Sequence, residues 1–269
     1  MIKFTPFQWS SFNFFGFYCA YGVLLPFLPV WLNHHGYDSG MIGLLIASGY
    51  LFRFLGTMTF SKRITHPNQL LSLARWLTWL AIATLFLVAF GVQTIWILFP
   101  AIALFHIFNG GAPIADTIAS TWQQQVGIDY GRTRLFGSIA FVVGSVSAGY
   151  LIGWLEESAI IGILIGWLVF LGTGLTVKPT QAFVQTEEKA QSELSYLQLM
   201  KVPTTFKMLI AISLIQSSHA AYYAYSTIYW ASQGFRPKVQ VYYGDWQLFQ
   251  KFCFSSLPTV YLKRGKSAI

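Results

Sequence analysis

The chain has 269 residues, of which 55% are hydrophobic and only 10% are charged, and its formal net charge is +8. Soluble domains carry about 25% charged residues, so this composition excludes a soluble globular protein, whose surface would expose too much apolar area. The two cysteines, Cys19 and Cys253, form no disulfide framework or metal motif. The basic residues lie in short segments between apolar runs, which is typical of membrane topology and not of nucleic-acid binding.

Seven apolar stretches are long enough to cross a bilayer as helices, because a span needs about 20 mostly apolar residues. In chain order they cover residues 9–32, 41–60, 70–90, 94–115, 135–155, 159–177 and 206–230. A polar segment separates the sixth stretch from the seventh. The sequence therefore predicts an all-α polytopic membrane protein, with a six-helix bundle over 1–177, a linker over 178–205 and a seventh span within 206–235.

The charges of the loops predict the orientation of the spans. Basic residues fall in alternate loops, at Lys3, at Lys62 and Arg63, at Arg132 and Arg134, and at Lys178, Lys189 and Lys201. The opposite loops contain Asp38, Glu156 and Glu157, and no Lys or Arg before the tail. Because cytoplasmic loops carry the excess of Lys and Arg, we expect the N-terminus and the linker to be cytoplasmic.

The tail over 236–269 does not continue this topology. It contains six Lys or Arg residues and no apolar run long enough to span, where the pattern calls for another helix. From Val241 onward, the permitted codons read one base out of frame can encode an apolar stretch with one acidic residue. We expect a frameshifted tail on the front part of a longer protein. The coding DNA should then show an intact downstream frame with several further spans, and its absence would contradict this expectation.

Charged residues inside spans are costly and each needs a reason. Arg53 lies near the middle of the second span, whereas Arg75 lies in the first turns of the third and can extend to the interface as a structural residue. Asp116 and Arg134 flank the predicted loop between the fourth and fifth spans. The sequence leaves open whether each is a solvated loop charge or whether the two side chains pair.

Polar residues also fall within the fourth and seventh spans. His106 and His219 lie near the middle of these spans, where a histidine is either a hydrogen-bonded packing residue or a proton-coupling group. Five polar residues share one face of the seventh span, which predicts a polar cavity on that side: Gln216, His219, Tyr222, Tyr223 and Ser226. Two small-xxx-small motifs, Gly149 with Gly153 and Gly162 with Gly166, permit close helix approach. No HExxH, GxSxG, Walker loop, GxGxxG or CxxC occurs, so nothing supports an enzyme, a metal site or an ATP-driven pump.

The order of elements resembles the major facilitator superfamily, in which six spans, a long cytoplasmic linker and a second bundle follow one another. Several motifs resemble its 3-phenylpropionate permease branch, which is similar to the lactose and nucleoside proton symporters. They are YCAYGVLLPF at 18–27, RFLG at 53–56, TWQ at 121–123, DYGRTRLFGS at 129–138 and HAAYYAYSTIYW at 219–230. The resemblance covers roughly residues 9–235. One departure is Phe60, which occupies a position where the superfamily usually has an acid and argues against a gating charge pair there.

The resemblance implies proton-coupled uptake of a small aromatic carboxylate such as 3-phenylpropionate, by alternating access across a bacterial inner membrane. The proton gradient would drive it without a cofactor. It implies a substrate site containing Arg53, Arg134, Tyr21, Tyr222, Tyr223 and Gln216. The candidates for proton coupling are His219, Asp116 and His106.

Other function classes stay open at this point. A nucleoside or sugar proton symporter of the same superfamily is the nearest alternative. A seven-helix receptor or sensor is opposed by the predicted orientation and by Lys207, which lies at the end of the seventh span and not deep inside it. A membrane assembly subunit without a site of its own is opposed by the polar face of that span. The expected partners are a small-molecule substrate and the lipid bilayer, without nucleic acid or an obligate protein partner, and we expect the chain alone to be inactive.

Overall fold

The computed structural model describes residues 3–64, 66–183 and 200–233, so the predicted tail and most of the linker lie outside the described residues. The described part is helical. Its helices, in chain order, are α1 (Pro6–His34), α2 (Ser39–Ser61), α3 (Asn68–Gly91), α4 (Ile95–Phe108), α5 (Gly111–Val126), α6 (Tyr130–Leu155), α7 (Ile160–Leu175) and α8 (Pro203–Ser232). A one-turn 3-10 helix, Glu157–Ala159, precedes α7. The predicted all-α fold is confirmed.

Polar caps start the helices where the apolar runs begin. The Thr5 hydroxyl accepts a hydrogen bond from the backbone N–H of Gln8, and the Gln8 side chain accepts one from Thr5 in return, so α1 begins with a capping box. Asp38 caps α2 and Asp129 caps α6 through their carboxylates. These two acids, which the sequence presents as loop charges, therefore set helix boundaries.

Six helical segments of the described chain are long and apolar enough to cross a membrane. Five are continuous, but the fourth, Ile95–Val126, consists of α4 and α5. The helix is interrupted at Asn109 and Gly110. The predicted end of this span near residue 115 was wrong, because the helix resumes after the break and places Asp116 inside α5. The 30-residue α8 corresponds to the predicted seventh span, but its polar residues keep it outside these six segments.

Helix α1 lies at the centre of the bundle and packs against α2, α5, α6 and α7. Five of its aromatic residues are buried, namely Trp9, Phe14, Phe17, Phe27 and Trp31. The outer surface keeps large aromatic side chains, and Trp96 and Trp154 are 85% and 83% exposed at the ends of their helices. Exposed tryptophans at helix ends are typical of a membrane interface, so the bundle presents the surface that a bilayer would cover.

One end of the bundle carries the connections between α1 and α2, between α3 and α4, and between α6 and α7. The His34 Nδ1 atom lies 3.1 Å from Glu157 Oε2, which links α1 to the 3-10 helix. The Tyr37 hydroxyl donates to the Val92 carbonyl at 2.7 Å. Burial of this phenol raises the pKa of Tyr37 above its ordinary value. The other end, where Phe4, Asn68 and Trp122 lie, is called the linker end below.

The closest helix crossing joins α1 to α6. A Cβ added at Gly22 would collide with the carbonyl of Phe141, and one added at Gly144 would collide with the carbonyl of Cys19. The Ser145 hydroxyl donates to the Gly22 carbonyl at 2.9 Å across the same contact. Small residues thus let two backbones approach, as in other membrane helix pairs. The close approach that Gly162 and Gly166 permit is not used by the described residues, since none of their atoms lies within 4 Å of a Cβ at either position.

These glycines give a first prediction. Gly144→Ala should destabilise the bundle by about 1–3 kcal/mol, because the added methyl group overpacks the α1–α6 crossing. Gly162→Ala is the matched control, and it should be neutral or slightly stabilising, since alanine favours a helix by roughly 0.5–1 kcal/mol over glycine. Thermal unfolding of the purified protein in detergent measures both changes. Equal melting temperatures for the two variants would contradict the crossing.

Candidate functional site

Arg53 lies within the second span, on α2, and contacts the ring of Tyr21 on α1. Its Nη1 donates to the Tyr21 hydroxyl at 2.6 Å, and its guanidinium carbon lies 4.8 Å from the centroid of the Tyr21 ring. The side chain is half-buried between α2 and α1. Among the described residues, the ion pairs involve other cations, and no carboxylate approaches Arg53. The charge of Arg53 is therefore uncompensated within the described bundle.

Arg134 is engaged in a different way. Its Nη1 donates to Asp116 Oδ1, and the Tyr130 hydroxyl donates to the same oxygen at 3.0 Å. Tyr130 and Arg134 are one turn apart on α6, so both side chains reach the one carboxylate on α5. Of the two alternatives that the sequence leaves open, the structure shows the paired one. The side chains of Arg134 and Asp116 are 43% and 36% exposed, so the pair lies at the surface of the described bundle.

A row of rings on α1 connects the two arginines. Phe14, Tyr18 and Tyr21 follow at one-turn spacing on one face of the helix. The guanidinium carbon of Arg134 lies 5.6 Å from the Phe14 centroid and 5.7 Å from the Tyr18 centroid. The rings of Tyr18 and Tyr21 are 6.2 Å apart. The resulting aromatic row, defined as Phe14, Tyr18 and Tyr21, runs from Arg134 to Arg53, and cation–π attraction orients both cations toward it.

Phe14, Tyr18 and Tyr130 complete the site, although the sequence predicts no role for them. Tyr18 and Tyr130 lie one turn from the predicted site residues Tyr21 and Arg134, and Phe14 lies one turn before Tyr18. The spacing was visible, but rings are so frequent along α1 that the spacing alone did not distinguish a site from a packed core.

Helix α5 has a polar face on the side that its neighbours leave open. Thr117, Ser120 and Thr121 are at least partly exposed. Their hydroxyls donate to carbonyls within the same helix at 2.7–3.0 Å, which satisfies them without a partner helix. Helix α4, before the break, is almost entirely apolar. The broken span therefore has an apolar half and a half with a polar face, and Asp116 lies near the start of the polar half.

His106 fills a narrow space between α4 and α2. The ring is 7% exposed, its Nδ1 lies 3.0 Å from the Ile102 carbonyl, and a Cβ added at Gly49 would lie 2.8 Å from the ring. A neutral imidazole donates from Nδ1 in this arrangement. These contacts account for His106 as a packing residue, and its role in proton coupling stays a prediction.

The remaining predicted site residues belong to α8. Gln216 is exposed and Tyr222 is half-buried on that helix. His219 and Tyr223 occupy the same helix, but their side chains lie outside the described residues. The Tyr225 hydroxyl donates to the Ser39 carbonyl at 3.3 Å, so α8 approaches the start of α2. The described structure thus brings Arg53 to Tyr21 and Arg134 to Asp116, and it leaves the contribution of α8 as a prediction.

Comparison with known proteins identifies the group to which this bundle belongs. Residues 7–248 match the family described as MFS_1 like. The chain belongs to the MFS_1-like family. This assignment confirms the predicted major facilitator superfamily fold.

One relative of this MFS_1-like chain carries a substrate in its name. It is the "Probable 3-phenylpropionic acid transporter" of Escherichia coli (strain K12), which is 34% identical over 230 residues. The aligned region covers 85% of this chain and 60% of the relative, so the chain spans less than two thirds of the relative's length. No solved structure matches the chain.

Proposed function

We propose that this MFS_1-like chain is part of a proton-coupled carrier that takes up a small aromatic monocarboxylate such as 3-phenylpropionate. The observation that carries the proposal is Arg53, a cation within a span that contacts a tyrosine and no described carboxylate. A charged side chain at that depth is costly unless it is paired. A substrate carboxylate supplies the missing charge, and Tyr21 offers a ring beside it.

The structure distinguishes the two arginines that the sequence treats alike. Arg134 already pairs with Asp116, so Arg53 is the one free to bind an anion. Together the two arginines and the one carboxylate leave a single positive charge, which matches a monocarboxylate and not a neutral sugar or nucleoside. Tyr21 is the proposed ring contact from this half. Tyr222, Tyr223 and Gln216 on α8 are the proposed contacts from the other side of the substrate.

Asp116 is the proposed proton-coupling group, with His219 and His106 as further candidates. Protonation of Asp116 would remove its charge and release Arg134, so a proton on Asp116 would make the site more favourable for an anion. The proton gradient is then the driving force. The proposed location is the bacterial inner membrane, with the N-terminus and the linker in the cytoplasm, as the loop charges predict.

An uptake assay tests this proposal. Cells expressing the chain, joined to the downstream frame if the coding DNA contains one, should accumulate labelled 3-phenylpropionate, and a protonophore should abolish the accumulation. A nucleoside and a disaccharide serve as competing substrates and should not accumulate. We expect the 269-residue chain alone to be inactive. Accumulation of the nucleoside or the disaccharide in place of the carboxylate would replace the substrate assignment, and the failure of all three would overturn the carrier proposal.

A further inference from the structure

The chain turns back across the linker end of the bundle directly after α7. The Lys178 carbonyl accepts from the backbone N–H of Phe4 at 3.3 Å, and the Thr180 N–H donates to the Phe4 carbonyl at 2.7 Å. The indole N–H of Trp9 donates to the Val177 carbonyl at 3.1 Å. The start of the linker is thus fixed to the start of α1. Residues 178–183 are called the strap.

The strap ends on α3 and α5. The Phe183 N–H donates to Asn68 Oδ1 at 3.1 Å, and Asn68 Nδ2 donates to the Phe183 carbonyl at 3.5 Å. The Phe183 ring stacks on Trp122 with the centroids 4.7 Å apart, and it is only 4% exposed. Trp122 in turn makes an edge contact with Trp9 at 5.6 Å. One inserted aromatic residue therefore joins the first, third and fifth helices at this end.

Helix α5 depends on such an anchor more than its neighbours do. It is separated from α4 by the break at Asn109 and Gly110, so no continuous helical backbone joins it to α4. It is amphipathic, and its buried face is narrow. Trp122 is the largest buried side chain on that face, and it follows Asp116 by less than two helical turns. The contact between Phe183 and Trp122 is thus close along the helix to the Asp116–Arg134 pair.

We propose that the strap fixes the linker end of α5, and that Phe183 is thereby a positioning residue for the Asp116–Arg134 pair. The ring clamps Trp122 against Trp9, and the two hydrogen bonds to Asn68 hold the strap backbone in place. Removal of the Phe183 ring frees the linker end of α5 to move about the break at Asn109 and Gly110. This inference does not depend on which substrate the carrier takes.

Hydrogen–deuterium exchange of the full chain in lipid nanodiscs tests the strap. Phe183→Ala should speed exchange in peptides from α5 by at least about tenfold, since truncating a buried aromatic residue costs several kcal/mol. Peptides from α7 should not change. Gln181→Ala alters an exposed neighbour in the same strap and should have no effect. Phe183→Leu, which keeps apolar volume if the alanine variant fails to fold, should be intermediate. Unchanged exchange in α5 would overturn the proposal.

A second measurement separates positioning from local packing. Asp116→Ala lowers the melting temperature by breaking the pair with Arg134, and Phe183→Ala lowers it by releasing the strap. If Phe183 positions the pair, the loss caused by Asp116→Ala should shrink when Phe183 is already alanine, because coupled sites are not additive. Fully additive losses would assign Phe183 to packing alone and overturn its positioning role. Neither measurement uses substrate, so failure of the strap and failure of the carrier proposal are distinguishable.

Discussion

Arg53→Gln is expected to weaken binding of 3-phenylpropionate by about ten- to a hundredfold. A hydrogen bond to a charged group contributes roughly 1.5–3 kcal/mol, and each 1.4 kcal/mol is about a tenfold change in affinity. Arg53→Lys should retain part of the affinity, because lysine keeps the charge but cannot form the planar two-pronged contact of a guanidinium. Equilibrium binding of the labelled acid to purified protein in nanodiscs gives the dissociation constants of the unaltered protein, Arg53→Gln and Arg53→Lys.

Two further variants show whether the loss is specific to the site. Tyr21→Phe keeps the ring beside Arg53 and removes the hydroxyl that accepts its hydrogen bond, so a smaller loss is expected. Arg75→Gln removes another arginine of a span, one that donates to the Leu71 carbonyl of its own helix at 3.4 Å, and binding should not change. Equal binding by Arg53→Gln and the unaltered protein, or equal losses for Arg53→Gln and Arg75→Gln, would contradict the role of Arg53.

The thermal stability of Arg53→Gln gives an independent test of the role of Arg53. If Arg53 is an uncompensated cation kept for an anion, then Arg53→Gln should leave the melting temperature unchanged or raise it, because it removes a charge from the span. A clear fall in the melting temperature would show that Arg53 is a structural residue. The binding and stability results together therefore distinguish a ligand-binding arginine from one that holds α1 to α2.

The positions of the spans could be predicted from the sequence because many residues contribute to each apolar run. Their starts were predicted less well: α2 begins at Ser39 and α6 at Tyr130, not at residues 41 and 135, because Asp38 and Asp129 cap these helices ahead of the apolar runs. The break at Asn109 and Gly110 is a different case. A run of apolar residues continues across it, so average hydropathy does not reveal it, although a pair of this kind is a common helix end.

The contacts of the site were less predictable because they depend on where the helices end. The sequence predicts a span that ends near residue 115, which leaves Asp116 and Arg134 on either side of a loop. In the structure α5 continues to Val126, so the two side chains face each other from two helices. The strap could not be predicted at all. Phe183 and Asn68 are 115 residues apart in the chain, and nothing local in the polar linker distinguishes Phe183 from an exposed residue.

The Asp116–Arg134 pair gives the second large expected effect. Asp116→Ala and Arg134→Ala should each destabilise the bundle by about 1–2 kcal/mol. This is below the roughly 3–5 kcal/mol expected when one partner of a fully buried pair is removed, because both side chains are partly exposed. The double variant should be more stable than the two single losses predict, since neither charge is then left without its partner. Thermal unfolding of the four proteins of this cycle measures the coupling.

Asp129 and Arg132 provide a matched control for this cycle. They also form an ion pair, at 3.3 Å, but their side chains are 56% and 76% exposed, and exposed pairs contribute little. The coupling between them should be close to zero. If the two cycles give the same coupling, the Asp116–Arg134 contact is an ordinary surface pair and cannot serve as a proton-dependent switch. If only Asp116 and Arg134 are coupled, Asp116→Asn should also make 3-phenylpropionate binding independent of pH. The asparagine side chain neither binds nor releases a proton, so it cannot change its pairing with Arg134 as the pH changes.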